Sequence, residues 1–307
     1  MTGKRTADVS DIARYNAAAL ASSAVVIGQY STSFGLAARL LDPRMREHIR
    51  TIYALVRIAD EIVDGAAAGA GLTVAEQRAL LDDLERETQE ATRRGYSTNL
   101  VVHAFALTAR ETGIGDSLTA PFFASMRRDL DPTPFTPTGV AEYIYGSAEV
   151  IGLMCLRTFE LGESRTVDET ARLRSGAQSL GAAFQKINFL RDLACDSETL
   201  GRNYFPGIDP TQMTEAEKDA ILDDIDVDLL AAGDALPLLP GGCRSAVTAA
   251  HRLFAVLAKR LRATRATDLL AARVRVPDAQ KLLLALSATV GASVGASAGS
   301  GNEARKR

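Results

Sequence analysis

Ten prolines punctuate this chain of 307 residues, and their spacing constrains its fold more than any other feature. A proline inside a helix removes a backbone donor and clashes with the preceding turn, so long helices form where proline is absent. None lies between Pro43 and Pro121, between Pro137 and Pro206, or between Pro240 and Pro277. Those windows are rich in Ala, Leu, Arg and Glu and poor in the alternating Val, Ile and Thr of strands. The chain is therefore predicted to be all-α, with helices near 10–28, 33–63, 74–94, 98–112, 117–130, 138–162, 167–196, 214–235, 242–271 and 278–290. Three capping boxes mark helix starts: Thr73 with Glu76, Thr166 with Glu169, and Thr214 with Glu217. In each, the threonine oxygen and the glutamate carboxylate can take up orphan amides of the first turn. Gly95 is placed to end the helix that Thr73 begins. No repeat of fixed period and no long linker divides the sequence. It reads as one helical domain over residues 1–290, followed by a disordered tail over 291–307.

Charge and cysteine content exclude several classes of function. Thirty-five Lys and Arg against 38 Asp and Glu give a net charge of -3, which is not the footprint of a nucleic-acid binder. Cys155, Cys195 and Cys243 are far apart, as are His48, His103 and His251. This argues against a disulfide framework, a zinc site or a Ser-His-Asp triad, and it fits a reducing cytoplasm. Residues 1–14 mix both signs of charge and do not read as a signal peptide. The uncharged run over residues 15–38 holds Asn16, Ser22, Ser23, Gln29, Ser31, Thr32 and Ser33, which oppose a membrane span. The run over 282–302 reads as a last helix and a frayed tail, with a membrane anchor as the alternative.

The chemistry that remains is carboxylate chemistry, which favours hard cations such as Mg²⁺. On a helix, Tyr53, Arg57, Asp60 and Asp64 share one stripe, while Ile52, Leu55, Ile62 and Val63 lie largely away from it. Two carboxylates one turn apart could hold a divalent cation jointly. A single pair carries little weight, since 38 acids in this length give roughly 4 to 5 such i,i+4 pairs by chance. A second set, Gln185, Asn188, Asp192 and Asp196, again shares one face, with Arg191 beside its first acid. Stacked acids without an i+4 lysine repel one another, and such placement asks for a cation. The alternative is two solvated faces with incidental acids.

Four segments occur in a characteristic order. They are Ser31-Thr32-Ser33-Phe34, residues 52–65 around the first acids, residues 143–154 from Tyr143 through Ile151 and Gly152, and residues 185–196 followed by Arg202-Asn203-Tyr204-Phe205-Pro206. Over about residues 28–280 the chain resembles the squalene and phytoene synthase family of head-to-head prenyl transferases, and is most similar to bacterial phytoene synthases. The resemblance implies an all-α isoprenoid-synthase bundle around a central apolar cavity. It implies Asp60, Asp64, Asp192 and Asp196 as the carboxylates that hold Mg²⁺, or Mn²⁺ in its place, with Glu61 and Asn188 in support. It further implies Arg57 and Arg191 as diphosphate contacts, Tyr30, Ser31, Ser33, Tyr53 and Tyr204 at the diphosphate end, and Tyr143, Ile151, Gly152 and Gln185 in the cavity wall. Arg202 joins the substrate-binding set, and Arg273 stands as the C-terminal arginine contact.

The reaction so implied condenses two geranylgeranyl diphosphates to 15-cis-phytoene through a cyclopropyl diphosphate, without NADPH. The alternatives are a squalene or dehydrosqualene synthase acting on farnesyl diphosphate, and a non-catalytic binding or assembly protein on the same fold. Gly35, Ala37 and Ala38 are small enough to deepen a tunnel for the longer substrate. Lipid substrates imply a cytoplasmic protein held peripherally at the membrane, with a downstream desaturase as a partner. The chain departs from the family pattern in three places. Tyr30 and Thr32 stand where the family has His and Lys, Glu149 replaces a glycine, and one extra residue separates Asp196 from Tyr204. The acids Asp223, Asp224, Asp226 and Asp228 read as a solvated face. The glycine- and alanine-rich run over 65–71 reads as a mobile loop over the diphosphate or as a plain connector.

Overall fold

In a computed structural model of the protein, residues 10–31, 33–193 and 203–269 are described here, with backbone only for Ser33, Phe34 and Leu36. Among them every regular element is helical. The major helices are α1 (Asp11–Tyr30), α2 (Ser33–Ala38), α3 (Pro43–Val63), α4 (Ala66–Gly69), α5 (Val74–Arg94), α6 (Leu100–Thr112) and α7 (Asp116–Asp129). They continue with α8 (Pro137–Ile144), a π turn (Tyr145–Glu149), α9 (Val150–Phe159), α10 (Val167–Arg191), α11 (Glu215–Ala235), α12 (Gly241–Ala263) and α13 (Ala266–Leu269).

All three capping boxes form. At each, the threonine hydroxyl accepts from the glutamate amide and the glutamate carboxylate accepts from the threonine amide, as in Thr73 N–H to Glu76 Oε2 at 2.8 Å. Gly95 ends α5 in the left-handed region at φ 81°. Three expected helices are interrupted. The helix over 33–63 breaks before Pro43, which lacks a donor and holds Asp42 extended, so α3 starts afresh with proline in its first turn. The helix over 138–162 widens into the π turn and stops at Phe159. The helix over 242–271 ends at Ala263, and α13 follows as a separate turn. The expected helix over 278–290 and the tail over 291–307 lie outside the described residues.

Packing follows the apolar stripes. On α3, Ile49, Ile52, Leu55, Ala59 and Val63 are buried against α6, α7 and α9. Helices α10 and α11 pair closely and antiparallel, Gly176 lying beside Ala235 and Lys186 beside Asp224 and Asp228. The close fit of α9 on α10 requires glycine at two points. A Cβ on Gly152 would sit 2.4 Å from the Ala177 carbonyl oxygen, and one on Gly181 would sit 2.6 Å from that of Ala148. These contacts make α9 antiparallel to α10. Among the described residues, no helix is long and apolar enough to cross a membrane.

Candidate active site

The first acidic stripe lies at the C-terminal end of α3, where the end of α1 meets it. Arg57 donates to Asp60 Oδ2 at 2.5 Å and also to Glu61 Oε1, so one guanidinium serves two carboxylates. The Tyr30 ring lies 4.4 Å from the Arg57 guanidinium carbon, a cation–π contact that orients the guanidinium plane. Ser31 is hydrogen-bonded to Tyr53. Burial raises the Tyr53 hydroxyl above its ordinary pKa, against the opposing pull of Arg57. Burial also disfavours the charged Arg57, but Asp60 and Glu61 outweigh that and leave it above its ordinary value. Asp64 caps α3 and is exposed, its amide bonded to the Asp60 carbonyl at 2.8 Å. Tyr30, Ser31, Tyr53, Arg57, Asp60 and Glu61 are thus brought together. Ser33 starts α2, and its side chain lies outside the description.

The second stripe lies at the C-terminal end of α10. Gln185 and Asn188 are half-buried there, and Asp192 caps the helix with its amide on the Asn188 carbonyl at 2.9 Å. Arg191 grips the adjacent Asp192 carboxylate with two nitrogens, at 2.9 and 2.5 Å. Asp196, Arg202 and Arg273 lie outside the described residues.

Alongside these two helices runs a cavity of about 280 Å³. Among the described residues its wall comes from α2, α3, the π turn, α9, α10, α11 and α12, and consists of Ala, Gly, Leu, Ile, Val and Phe apart from Ser147 and Cys155. Val56 on α3 and Phe184 on α10 both line it. One turn after Val56 comes Asp60, and one and two turns after Phe184 come Asn188 and Asp192. At 3.6 residues per turn, each acidic stripe continues a cavity-lining stripe.

Ile151 and Gly152 line this cavity, whereas Tyr143 and Gln185 are absent from its lining. Tyr143 is instead buried in an aromatic cluster with Phe135, Phe189 and Tyr204. Its hydroxyl donates to both carboxylate oxygens of Asp129, at 2.8 and 3.0 Å, and burial holds its pKa well above the ordinary value. Tyr204, expected at the diphosphate end, stacks on Phe189 at 3.9 Å and is buried in the same cluster. Sequence reasoning missed the contribution of Ala246, Val247 and Ala250 on α12, because nothing in a run of small apolar residues tells which cavity it faces. It also passed over Ser147, a polar residue inside a motif it had singled out.

Three other segments singled out in the sequence take definite form. The run over 65–71 is folded around the short helix α4, whose Ala66 amide donates to Glu61 Oε2 at 2.8 Å. Of the α11 acids, Asp223, Asp224 and Asp226 are exposed as expected of a solvated face, Asp228 is half-buried, and all four are ion-paired. Lys186 bonds Asp224 and Asp228, and Arg262 bonds Asp223 and Asp226 at 2.8 and 2.9 Å. Glu149 sits half-buried in the π turn and accepts from Gln178 Nε2 at 2.9 Å, with burial raising its carboxyl pKa.

The donors at the two helix ends fit a hard divalent cation that grips a diphosphate. Asp60, Glu61, Asp64, Asn188 and Asp192 offer only oxygen donors, and Arg57 Nε is buried without a hydrogen-bond partner. Among the described residues no three acidic, histidine or cysteine side chains already converge on one point.

Known proteins resemble this chain in sequence and in fold. A 15-cis-phytoene synthase from a Paracoccus species is 28% identical over 256 residues, covering 78% of this chain and 81% of that protein. A 15-cis-phytoene synthase from Enterobacter agglomerans is 32% identical over 187 residues, covering 57% of this chain and 58% of that one. Among solved structures, a dehydrosqualene synthase bound to a ligand superposes with a TM-score of 0.73 at 21% identity, covering 92% of this chain and 99% of that chain. The squalene synthase HpnC from Alicyclobacillus acidocaldarius superposes with a TM-score of 0.69 at 17% identity, covering 81% and 94%. At such identities the two structures establish the shared fold. The sequence model of squalene/phytoene synthases matches residues 27–280, which include every residue that lines the cavity, and the chain belongs to that family.

Proposed function

We propose that this chain is a 15-cis-phytoene synthase, a prenyltransferase that joins two geranylgeranyl diphosphates head to head. The observation that carries the reading is a deep apolar cavity whose lining stripes on α3 and α10 run on into Asp60 and Asp192. It is supported by the curated relatives, which are named as phytoene synthases.

The residues have distinct tasks. Asp60, Asp64, Asp192 and Asp196 would hold Mg²⁺, with Mn²⁺ as a substitute, and Glu61 and Asn188 would support them. That cation supplies Lewis-acid stabilisation of the departing diphosphate. Arg57 and Arg191 bind diphosphate oxygens with guanidinium forks, Tyr30 and Tyr53 hold the Arg57 end in place, and Arg202 and Arg273 extend the anion-binding set. The apolar wall keeps water from the cation left behind.

In the first half-reaction the allylic C–O bond of one substrate breaks and its electron pair leaves with diphosphate. The double bond of the other substrate attacks, and loss of one proton closes a cyclopropane. In the second, the cyclopropyl diphosphate ionises, the ring rearranges, and loss of a second proton forms the central double bond. Two diphosphates and two protons are released for each phytoene, and no reductant is consumed. The product is a hydrocarbon, so loading and release occur at a membrane surface, which makes the protein peripheral and suits hand-over to a desaturase.

The test is product analysis of purified protein with Mg²⁺ and either geranylgeranyl or farnesyl diphosphate, with and without NADPH. Phytoene from the longer substrate without NADPH is expected. A thirty-carbon product from farnesyl diphosphate alone would overturn the substrate assignment, and no product from folded protein would overturn the enzymatic one.

A further inference from the structure

Among the described residues, the wall of the apolar cavity holds two aromatic rings, Phe159 and Phe184, and they stand at opposite ends. Gly152 of α9 packs on Ala177 of α10, and Ala148 on Gly181, so the two helices run antiparallel. Phe159, the last residue of α9, therefore lies at the end away from the carboxylates. Phe184 lies one turn of α10 before Asn188 and two turns before Asp192, at about 6 Å and about 12 Å of helix rise. It is half-buried and lines the cavity, so part of it is open to whatever the cavity holds.

The ring of Phe184 is held in a definite pose. It stacks on Phe254 of α12, with ring centroids 3.6 Å apart and planes within 15° of parallel. Val247 and Ala250, two turns and one turn before Phe254, line the cavity, whereas Phe254 does not. Two rings stacked side by side along the wall would both line it. Phe254 therefore stands behind Phe184, and the free face of the Phe184 ring is turned to the cavity. Aromatic rings carry negative charge on their faces and prefer offset or edge-to-face contacts with centroids about 4.5 to 7 Å apart. In a near face-to-face pair the two quadrupoles lie on one axis, so they repel each other while their negative lobes add on the outer face. Leu180, one turn away, lines the same wall without such a pairing. A prenyl chain, being uncharged, draws nothing electrostatic from that face, but a cation does.

We propose that Phe184 is a catalytic residue of the prenyl cavity, whose open ring face stabilises the allylic carbocation formed when a prenyl diphosphate ionises at the carboxylate end. The inference rests on the function proposed above. In this step the C–O bond breaks, its electron pair leaves with diphosphate, and the positive charge is shared between the two ends of the allyl unit. The double bond of the second substrate then attacks, and one proton is lost as the cyclopropane closes. The Phe184 ring forms no bond and exchanges no proton. Because the charge appears only on ionisation, the contact strengthens toward the transition state and acts on turnover rather than on binding.

The experiment measures single-turnover consumption of geranylgeranyl diphosphate, with KM and melting temperature, for wild-type protein, for Phe184→Leu, and for proteins whose Phe184 ring carries one, two or three fluorines. Fluorine draws charge from the ring face and hardly changes its shape. Phe184→Leu is expected to slow consumption about tenfold or more while KM stays near the wild-type value. In the fluorinated series the rate falls stepwise with each added fluorine, at constant melting temperature. Equal rates across the series overturn the inference even where Phe184→Leu is slow, since a packing role follows shape and not charge. A wild-type rate in Phe184→Leu overturns it as well. Wild-type protein that consumes no prenyl diphosphate overturns the functional reading and this inference with it. If wild type uses farnesyl diphosphate, only the substrate assignment falls, and the same series is read on that substrate.

Discussion

Arg57 illustrates how the site is assembled at the scale of single residues. Its guanidinium bridges Asp60 and Glu61, and all three side chains are partly exposed, so each pair contributes at most about 1 kcal/mol to stability. The carboxylates are therefore expendable for folding. Asp60→Ala and Asp192→Ala are each expected to abolish Mg²⁺-dependent turnover, by about a hundredfold or more, while far-UV circular dichroism stays helical and the melting temperature moves by only a few degrees. A collapse of the helical signal in either variant would contradict this assignment of roles. Tyr143 presents the opposite case. Its hydroxyl donates to a buried Asp129 carboxylate, so Tyr143→Phe removes a buried charge-assisted hydrogen bond and should cost about 1–3 kcal/mol in urea unfolding. An unchanged unfolding midpoint would show that the pair carries no load.

Between elements, the critical contact is α9 with its π turn against α10. At Gly152 the obstructing atom is a backbone carbonyl oxygen, which cannot swing aside as a side chain can. Gly152→Ala must push the two helices apart, and a loss of about 1–3 kcal/mol is expected, together with reduced turnover because the same helices form the cavity wall. Wild-type thermal stability in this variant would show that the helices separate without cost. The joint between α1 and α6 makes a prediction about pH. His103 accepts the Ser97 amide at Nδ1, 3.3 Å away, and its Nε2 faces Asn16 Oδ1 at 2.8 Å, so the neutral Nε2–H tautomer satisfies both contacts. Burial lowers its pKa below the ordinary 6.5. The unfolded chain then binds the proton first, so the stability from this residue is present above pH 6.5 and is lost as pH falls through the lower folded value. Urea midpoints measured from about pH 7 to pH 5 should fall, and His103→Gln should remove that part of the slope. Equal slopes in the two proteins would place the acid sensitivity elsewhere.

At the scale of the whole molecule, helices spread from Ala37 to Ala250 combine to line one apolar volume. Burial, of Cys155 at the cavity wall and of Cys243 in the packed core, pushes both thiols up to about 12, so neither is expected to react with a thiol reagent at neutral pH until the protein unfolds. Peptide mapping of the labelled sites would test this, and rapid labelling of Cys155 in folded protein would mean that the cavity opens readily. The helices, their three capping boxes and the two acidic stripes were legible from the sequence because each depends on spacings of three or four residues along one chain. The break before Pro43 was legible in principle too, since proline acts on its immediate neighbours. Rotation of a helix about its own axis was not, because that depends on surfaces that meet only after folding. Tyr143 and Tyr204 shared motifs with cavity-lining and acidic residues, yet packing turned both into an aromatic cluster with Phe135 and Phe189. Glu61 gained the Ala66 amide only because the chain folds back after α3. The sequence by itself determined an all-helical chain with two carboxylate-bearing helices, since hydrogen bonding and side-chain period are local. Only the tertiary structure decided which residues face the cavity and which ring stands behind Phe184. Those outcomes follow from close approach between distant backbones, such as Gly152 with Ala177 and Gly181 with Ala148, which no local pattern encodes.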